Sequence, residues 1–259
     1  MLLSAGGVYS LLLEPGWIAV EKVRVRLKRL PSALNGFNIV QMSDFHRGRH
    51  IRDAELQVAV DVANRLKPDL IVLTGDYVTS NESFAQPCAK MLAGLHAPHG
   101  VIAILGNHDH WTDADVVSRA LRSHSIQLLR NDAAPITHHG ARLWIVGVDD
   151  VWQKKANLPL ALQRVPKEAV TILLAHEPDY ADTASGYPID LQLSGHSHGG
   201  QVRLPFLGAP ILPYLAEKYP WGLRRVGEMQ VYTNRGIGVI GPPVRLGCRP
   251  EVTLLTLVS

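Results

Sequence analysis

Cysteine is scarce. Cys88 and Cys248 are the only two, far apart and in unlike contexts, which leaves no metal or redox spacing and no disulfide framework to read. None is needed, because a chain of 259 residues buries roughly three quarters of its unfolded surface. The two thiols are expected to be small, partly buried side chains. Long apolar runs are missing too. The N-terminal MLLSAGGVYSLLL stops at Glu14-Pro15, short of the about 20 residues that span a bilayer. It has neither the positive start nor the small-residue cleavage site of a secretory signal. Residues 1–19 therefore read as an N-terminal apolar segment (an anchor remnant, a peripheral tip or a stretch folded onto the rest), and 20–259 as one domain. No internal repeat, low-complexity tract or linker divides it. Charge of one sign is also lacking: 26 Lys and Arg stand against 23 Asp and Glu, a net +3, and the basic residues are scattered. That balance favours anionic partners weakly and falls short of a nucleic-acid signature.

Histidine is what the chain has in excess, twelve against four phenylalanines. Such an excess points to metal or proton chemistry where the residues fall in motifs. Around them the pattern is regular. Val20 to Leu30 alternates, with Val23, Val25 and Leu27 on one face and Lys22, Arg24, Arg26 and Lys28 on the other, a half-buried strand with a basic outer face. The apolar runs Phe37–Met42, Leu70–Leu73, Val101–Leu105, Thr171–Ala175 and Ile189–Leu193 read as short buried strands. Helical periodicity follows Asp53 up to Pro68, recurs over Phe84–Leu95, and opens again at Thr112, where Asp115 three residues on suggests a capping box. Alternating strands and helices predict an α/β fold. The last third, with strands at Gln201–Leu204, Met229–Thr233 and Val252–Val258 between Gly- and Pro-rich turns, adds a second sheet. The expected architecture is a layered sandwich of two mixed β-sheets flanked by helices.

Each apolar run ends in chemistry. The first gives Ser43-Asp44-Phe45-His46, the second Thr74-Gly75-Asp76, and the third Gly106-Asn107-His108-Asp109. The fourth gives His176-Glu177-Pro178, and the fifth Ser194-Gly195-His196-Ser197-His198. The carboxyl edge of an open α/β sheet is where ligand sites form. Two carboxylates, one amide oxygen and four imidazoles make a set suited to Mn, Fe or Zn. Seven ligands are too many for one first-row ion and right for two that share a carboxylate. Ligands at i and i+2, as in Asp44/His46 and His196/His198, point the same way along an extended strand end.

The ordered set DFH, GD, GNHD, a lone His and GHSH resembles the calcineurin-like metallophosphoesterase superfamily over about residues 37–198. The resemblance implies that Asp44, His46 and His198 hold one metal, that Asn107, His176 and His196 hold a second, and that Asp76 bridges them. It implies that His108 is no ligand but stabilises or protonates the departing oxygen, with Asp109 orienting it through its other ring nitrogen. It implies an enzyme, a hydrolase of phosphate esters that uses a metal-bound hydroxide, with two divalent ions as cofactors. The position three residues after Asp76 is Thr79, not the Tyr of purple acid phosphatases. GHSHGGQV at 195–202, NRGIG at 234–238 and RLGCRPEVTLLTL at 245–257 match the bacterial single-domain branch, often membrane-anchored. That branch includes phosphodiesterases and pyrophosphohydrolases of lipid-linked nucleotides such as UDP-diacylglucosamine.

The implied substrate is therefore a phosphodiester or pyrophosphate, with a soluble phosphomonoesterase or cyclic-nucleotide phosphodiesterase as the enzyme alternative and a metal-depleted protein-binding scaffold as the alternative of another class. The implied place is the cytoplasm or the periphery of a membrane; no specific nucleic-acid binding and no obligate protein partner are expected. Arg47, His110 and Arg235 are candidates for substrate contact. The proline-punctuated apolar stretch Leu204–Tyr214 either packs on the domain or exposes an apolar patch suited to lipid.

Overall fold

A computed structural model describes residues 7–51 and 53–259; the first six residues of the N-terminal apolar segment lie outside it. Two six-stranded sheets pack face to face. The first has the order β1-β12-β2-β3-β4-β5, built from β1 (Ala19–Arg26), β2 (Asn38–Met42), β3 (Leu70–Thr74), β4 (Val101–Ile104), β5 (Gln127–Leu128) and β12 (Glu251–Val258). The second has the order β10-β11-β9-β8-β7-β6, with β6 (Asp132–His138), β7 (Ala141–Gly147), β8 (Val170–Leu174), β9 (Leu191–Ser194), β10 (Gly222–Val226) and β11 (Met229–Thr233). Strands β2 to β5 run parallel, as do β7, β8, β9 and β11. The antiparallel partners β12, β6 and β10 make both sheets mixed.

The period of two sorts side chains into layers. Ile39, Leu70, Val72, Ile102 and Ile104 meet Leu143, Ile145, Ile172, Leu191 and Leu193 of the facing sheet. Val40, Met42, Ile71, Leu73 and Ala103 turn the other way, under α1 (Asp53–Arg65), α2 (Ala85–Leu92) and α4 (Ala114–Ser123). The second sheet's outer face, with Trp144, Val146, Leu173 and Val231, is covered by the short α5 (Leu158–Ala161) and α6 (Ala181–Ala184). Both faces of the central strands are dry, which is why they read as unbroken apolar runs. Along β1 and the two residues after it, Val25 and Leu27 are buried while Lys22, Arg24, Arg26 and Lys28 stay in solvent.

Two local expectations need correction, and one element had none. The Asn107–Thr112 stretch is itself a helical turn, α3, and Asp113, not Thr112, caps α4 by accepting from the Asp115 and Val116 N–H groups. An extended Asp113 with its oxygen directed at N2 and N3 outcompetes a residue still inside the preceding turn. The 201–204 stretch forms only single bridges, Val202 to Leu246 and Leu204 to Gly208, because Gly200, Pro205 and Gly208 break any ladder. The hairpin β6–β7 was not evident from its periodicity. Its two-residue turn is His139-Gly140, both left-handed, as the tight hairpin turn requires, with histidine where asparagine is commoner.

Candidate metal centre

The parallel strands bring their carboxyl ends to one edge. Asp44 and His46 follow β2, Asp76 follows β3, and Asn107 follows β4; His176 follows β8, and His196 and His198 follow β9. Asp44, His46, Asp76, His196 and His198 all hold φ between 46° and 67°, a region that costs an L-residue on the order of 1 kcal/mol or more. Neighbouring backbone fixes it: Asp44 and His46 N–H donate to the Gly75 and Asp76 carbonyls, and the Gly238 N–H donates to the Asp44 carbonyl at 2.6 Å. Gly195 is required at close range, since any Cβ there would collide with the Ser43 hydroxyl and the Asp44 carboxylate. The turns are built to hold side chains inward, not to relax.

Those side chains converge. His46 Nε2 lies 3.0 Å from His198 Nε2, which is 3.3 Å from Asp44 Oδ1. Asp76 Oδ2 is 3.5 Å from His46 Nε2 and 3.1 Å from His176 Nε2. Ligand atoms of Asp44, His46 and His198 form one compact group, and those of Asp76, His176 and His196 another. Asp76 Oδ2 faces both. His108 also comes close enough to group with His46 and Asp76, so distance alone does not separate it from the others.

The residues fit divalent cations. His176 Nδ1 donates to the Thr74 carbonyl at 2.6 Å and His196 Nε2 to the Tyr214 carbonyl at 2.8 Å; each bond orients the ring and turns its opposite nitrogen to the cluster. Asn107 Oδ1 is buried with no hydrogen-bond partner among the described residues, an arrangement that proteins avoid unless something else satisfies the atom. Burial drives His46 and His196 down to about 3 and His198 well below its ordinary range, so these rings are neutral donors at pH 7. Burial, with the Asp76 charge beside it, pushes Asp44 up, to about 6. Asp76 is pushed the same way by burial, but the charges on His176 and His108 prevail and hold it well below the usual carboxylate range. His176 goes the other way: burial lowers it, but the Asp76 and Asp44 carboxylates prevail and hold it well above its ordinary range, so the buried acids draw positive charge to the cluster, which a cation would supply.

Asp109 does not orient His108. Its Oδ2 accepts from the Asp76 and Gly106 N–H groups and its Oδ1 from the Tyr77 N–H, at 2.8 to 2.9 Å. The His108 Nδ1 instead bonds the Thr79 carbonyl at 2.7 Å. Helical geometry explains this: residues i and i+1 do not face each other. Arg47 is also occupied elsewhere, bonding Asp53, Gly48 O and Ile51 O and lying over the Phe84 ring. Arg235 pairs with Glu251 and Glu21, each at 2.5 Å. The His110 ring reaches Asp149 at 2.7 Å, not the cluster. None of these three is placed as a substrate contact.

Other residues escaped the sequence reading. Trp152 packs against the His196 ring, 5.5 Å between centroids, from a loop with no periodic signal. Arg245 is wholly buried and donates to the carbonyls of Arg235, Gly236 and Gly238, bracing the loop that lies on Asp44. Its only advance signal is RLGCRPE, already noted as a family match.

The comparisons with known proteins agree with this geometry. Residues 37–200 match the family described as calcineurin-like phosphoesterase. The chain is 35% identical to an uncharacterized metallophosphoesterase, YkuE, of Bacillus subtilis (strain 168), over 99% of this chain and 92% of that one. It is 35% identical to phosphodiesterase YaeI of Escherichia coli (strain K12), over 98% and 94%. It is 28% identical to UDP-2,3-diacylglucosamine pyrophosphatase LpxG of Chlamydia trachomatis, over 94% and 90%. In fold it is similar to a dimetal phosphatase from Danio rerio, with a TM-score of 0.50 and 12% identity over 87% of this chain and all of the other.

Proposed function

We propose, from the premise that this chain belongs to the calcineurin-like phosphoesterase family, that it holds two divalent ions and hydrolyses a phosphodiester or pyrophosphate bond. That it is a metal-dependent phosphoester hydrolase follows from the family. The number of ions, the ligand roles and the substrate are our reading. One observation carries it: donor atoms of six side chains from four strand ends, on two sheets, group at one edge, and Asn107 Oδ1 at the end of β4 is buried and unpartnered.

Asp44, His46 and His198 would hold one ion, Asn107, His176 and His196 the other, and Asp76 both. When bound, the ions polarise the phosphoryl oxygens and acidify the attacking water to a pKa near about 7. The chain's own part is positioning and proton transfer. His108 is half-buried, its Nδ1 tied to Thr79, so its Nε2 is the atom free to hand a proton to the departing oxygen. Its backbone N–H holds Asp76 Oδ1 at 2.9 Å, which leaves Oδ2 to face the ligands of both groups.

A lipid-linked nucleotide is the substrate we favour. Phe206, Leu207 and Ile211 stand exposed on the loop that ends at Tyr214, whose carbonyl bonds His196. A groove of about 440 Å³, lined by His198, Ile211, Leu212, Pro213, Ile240 and Val244, opens beside it. Leu11, Leu12, Leu13 and Trp17 are exposed as well, and Ser10 is joined to Arg245 next to that groove. These exposed apolar tips support contact with a membrane surface; among the described residues no helix is long and apolar enough to cross a membrane.

The reaction is tested with bis(p-nitrophenyl) phosphate and Mn²⁺. Wild type should release nitrophenolate; His108→Ala should lose at least about 100-fold in kcat while retaining the same metal content by elemental analysis. Equal turnover in the two proteins removes His108 from the chemistry, and a wild type that binds no metal removes the whole reading.

A further inference from the structure

Three aromatic rings border the metal centre, and no role in the chemistry above uses them. Trp111 packs on His108 with 4.7 Å between ring centroids. Trp152 meets Trp111 edge to face at 5.1 Å, then His196 at 5.5 Å and Tyr214 at 5.4 Å. The rings thus form a continuous wall from His108 round to His196. They are not core residues: Trp111 is 49% and Tyr214 60% exposed, and large aromatic faces left in water mark a surface that something covers.

The wall is held rigidly. Glu177 accepts from the Val151 and Trp152 N–H groups, and Asp150 accepts from Gln153 N–H at 2.6 Å. Asp149 bonds both His110 and Arg130. His110 lies in α3 beside Trp111, so its bond to Asp149 locks the helix that carries one tryptophan to the loop that carries the other. Three buried carboxylates are a costly way to fix a loop, and here they fix the one that carries Trp152.

We propose that Trp111 and Trp152, with Tyr214, form a stacking platform for the base of a nucleoside esterified to the scissile phosphate; this rests on the phosphodiesterase reading above. Distance selects the class. One imidazole layer, about 5 Å by the centroid spacings, separates the wall from the metal-facing atoms. A base set back from its phosphate by a ribose spans that layer. Stacking tolerates any base, since each offers a π face.

The test uses two diesters that share a p-nitrophenyl leaving group, thymidine 5′-(p-nitrophenyl phosphate) and ethyl p-nitrophenyl phosphate, with the full chain and Mn²⁺. Wild type should prefer the nucleoside ester by roughly tenfold in kcat/KM, as the loss of one stacked base costs. Trp111→Leu and Trp152→Leu should each shrink that ratio, and Trp152→Phe should retain it. Equilibrium dialysis of thymidine 5′-monophosphate should show the same order in Kd. A ratio near one in wild type, or one unmoved by either leucine variant, overturns the platform. If wild type cleaves neither ester, the hydrolase reading fails, and the dialysis still decides whether the wall takes a nucleotide.

Discussion

Asp109 shows how a single side chain can serve a metal site without touching it. Both its oxygens are filled by backbone donors from the turns after β3 and β4, the turns that carry Asp76 and Asn107. Burial and the Asp76 charge push its carboxyl up, to about 8, against the pull of the backbone donors. Replacing one oxygen with an amide would set N–H against N–H. Asp109→Asn should therefore lose about 2 kcal/mol of unfolding free energy, measured by urea denaturation, together with metal affinity. A variant as stable as wild type would show that those turns do not depend on the carboxylate. The residue matters through backbone geometry, which its position next to His108 disguised.

At the scale of elements, what distinguishes this chain is a pair of exposed apolar segments on one strip. The helical turn Tyr9–Leu13 is fastened to that strip through Arg245, and Glu14 accepts from the Gly247 and Cys248 N–H groups. The 204–214 loop joins the same strip through Arg203 N–H and the Leu246 carbonyl. Arg249 lies over the exposed Trp17 ring at 3.9 Å, and Arg203 over Trp221 at 4.4 Å. Apolar tips flanked by tryptophan and arginine suit the boundary of an anionic bilayer. The protein should co-sediment with phosphatidylglycerol vesicles at low salt, and Leu207→Asp with Ile211→Asp should leave it in the supernatant. Wild type that stays in the supernatant would discard the membrane contact and, with it, the lipid part of the substrate.

For the whole molecule, the proposed ions join the two sheets. Asp44, His46, Asp76 and Asn107 come from the first sheet and His176, His196 and His198 from the second. Removing the ions from such a joint exposes like-charged and unpartnered groups to one another. Saturating metal at about 100 times its Kd stabilises the folded state by about 2.7 kcal/mol. Chelation followed by gel filtration should therefore lower Tm by roughly 5–10 °C, and Mn²⁺ should restore it. A melting temperature indifferent to metal would mean that the cluster holds no structural cation.

The sequence by itself determined the layering and which polar residues end each strand. Runs buried on both faces are apolar throughout, and the residue that ends each run is a local property, so Asp44, His46, Asp76, Asn107, His176, His196 and His198 were readable without contacts. Periodicity carries no information on what a side chain meets across the chain. The tertiary structure decided that Thr79 and not Asp109 bonds His108, that Arg47 and Arg235 are tied to carboxylates elsewhere, and that Trp152 stands at the rim, held by Glu177 twenty-five residues away. Those outcomes depend on which loops the two sheets bring within hydrogen-bonding distance, and that follows from strand order and packing, not from any local pattern.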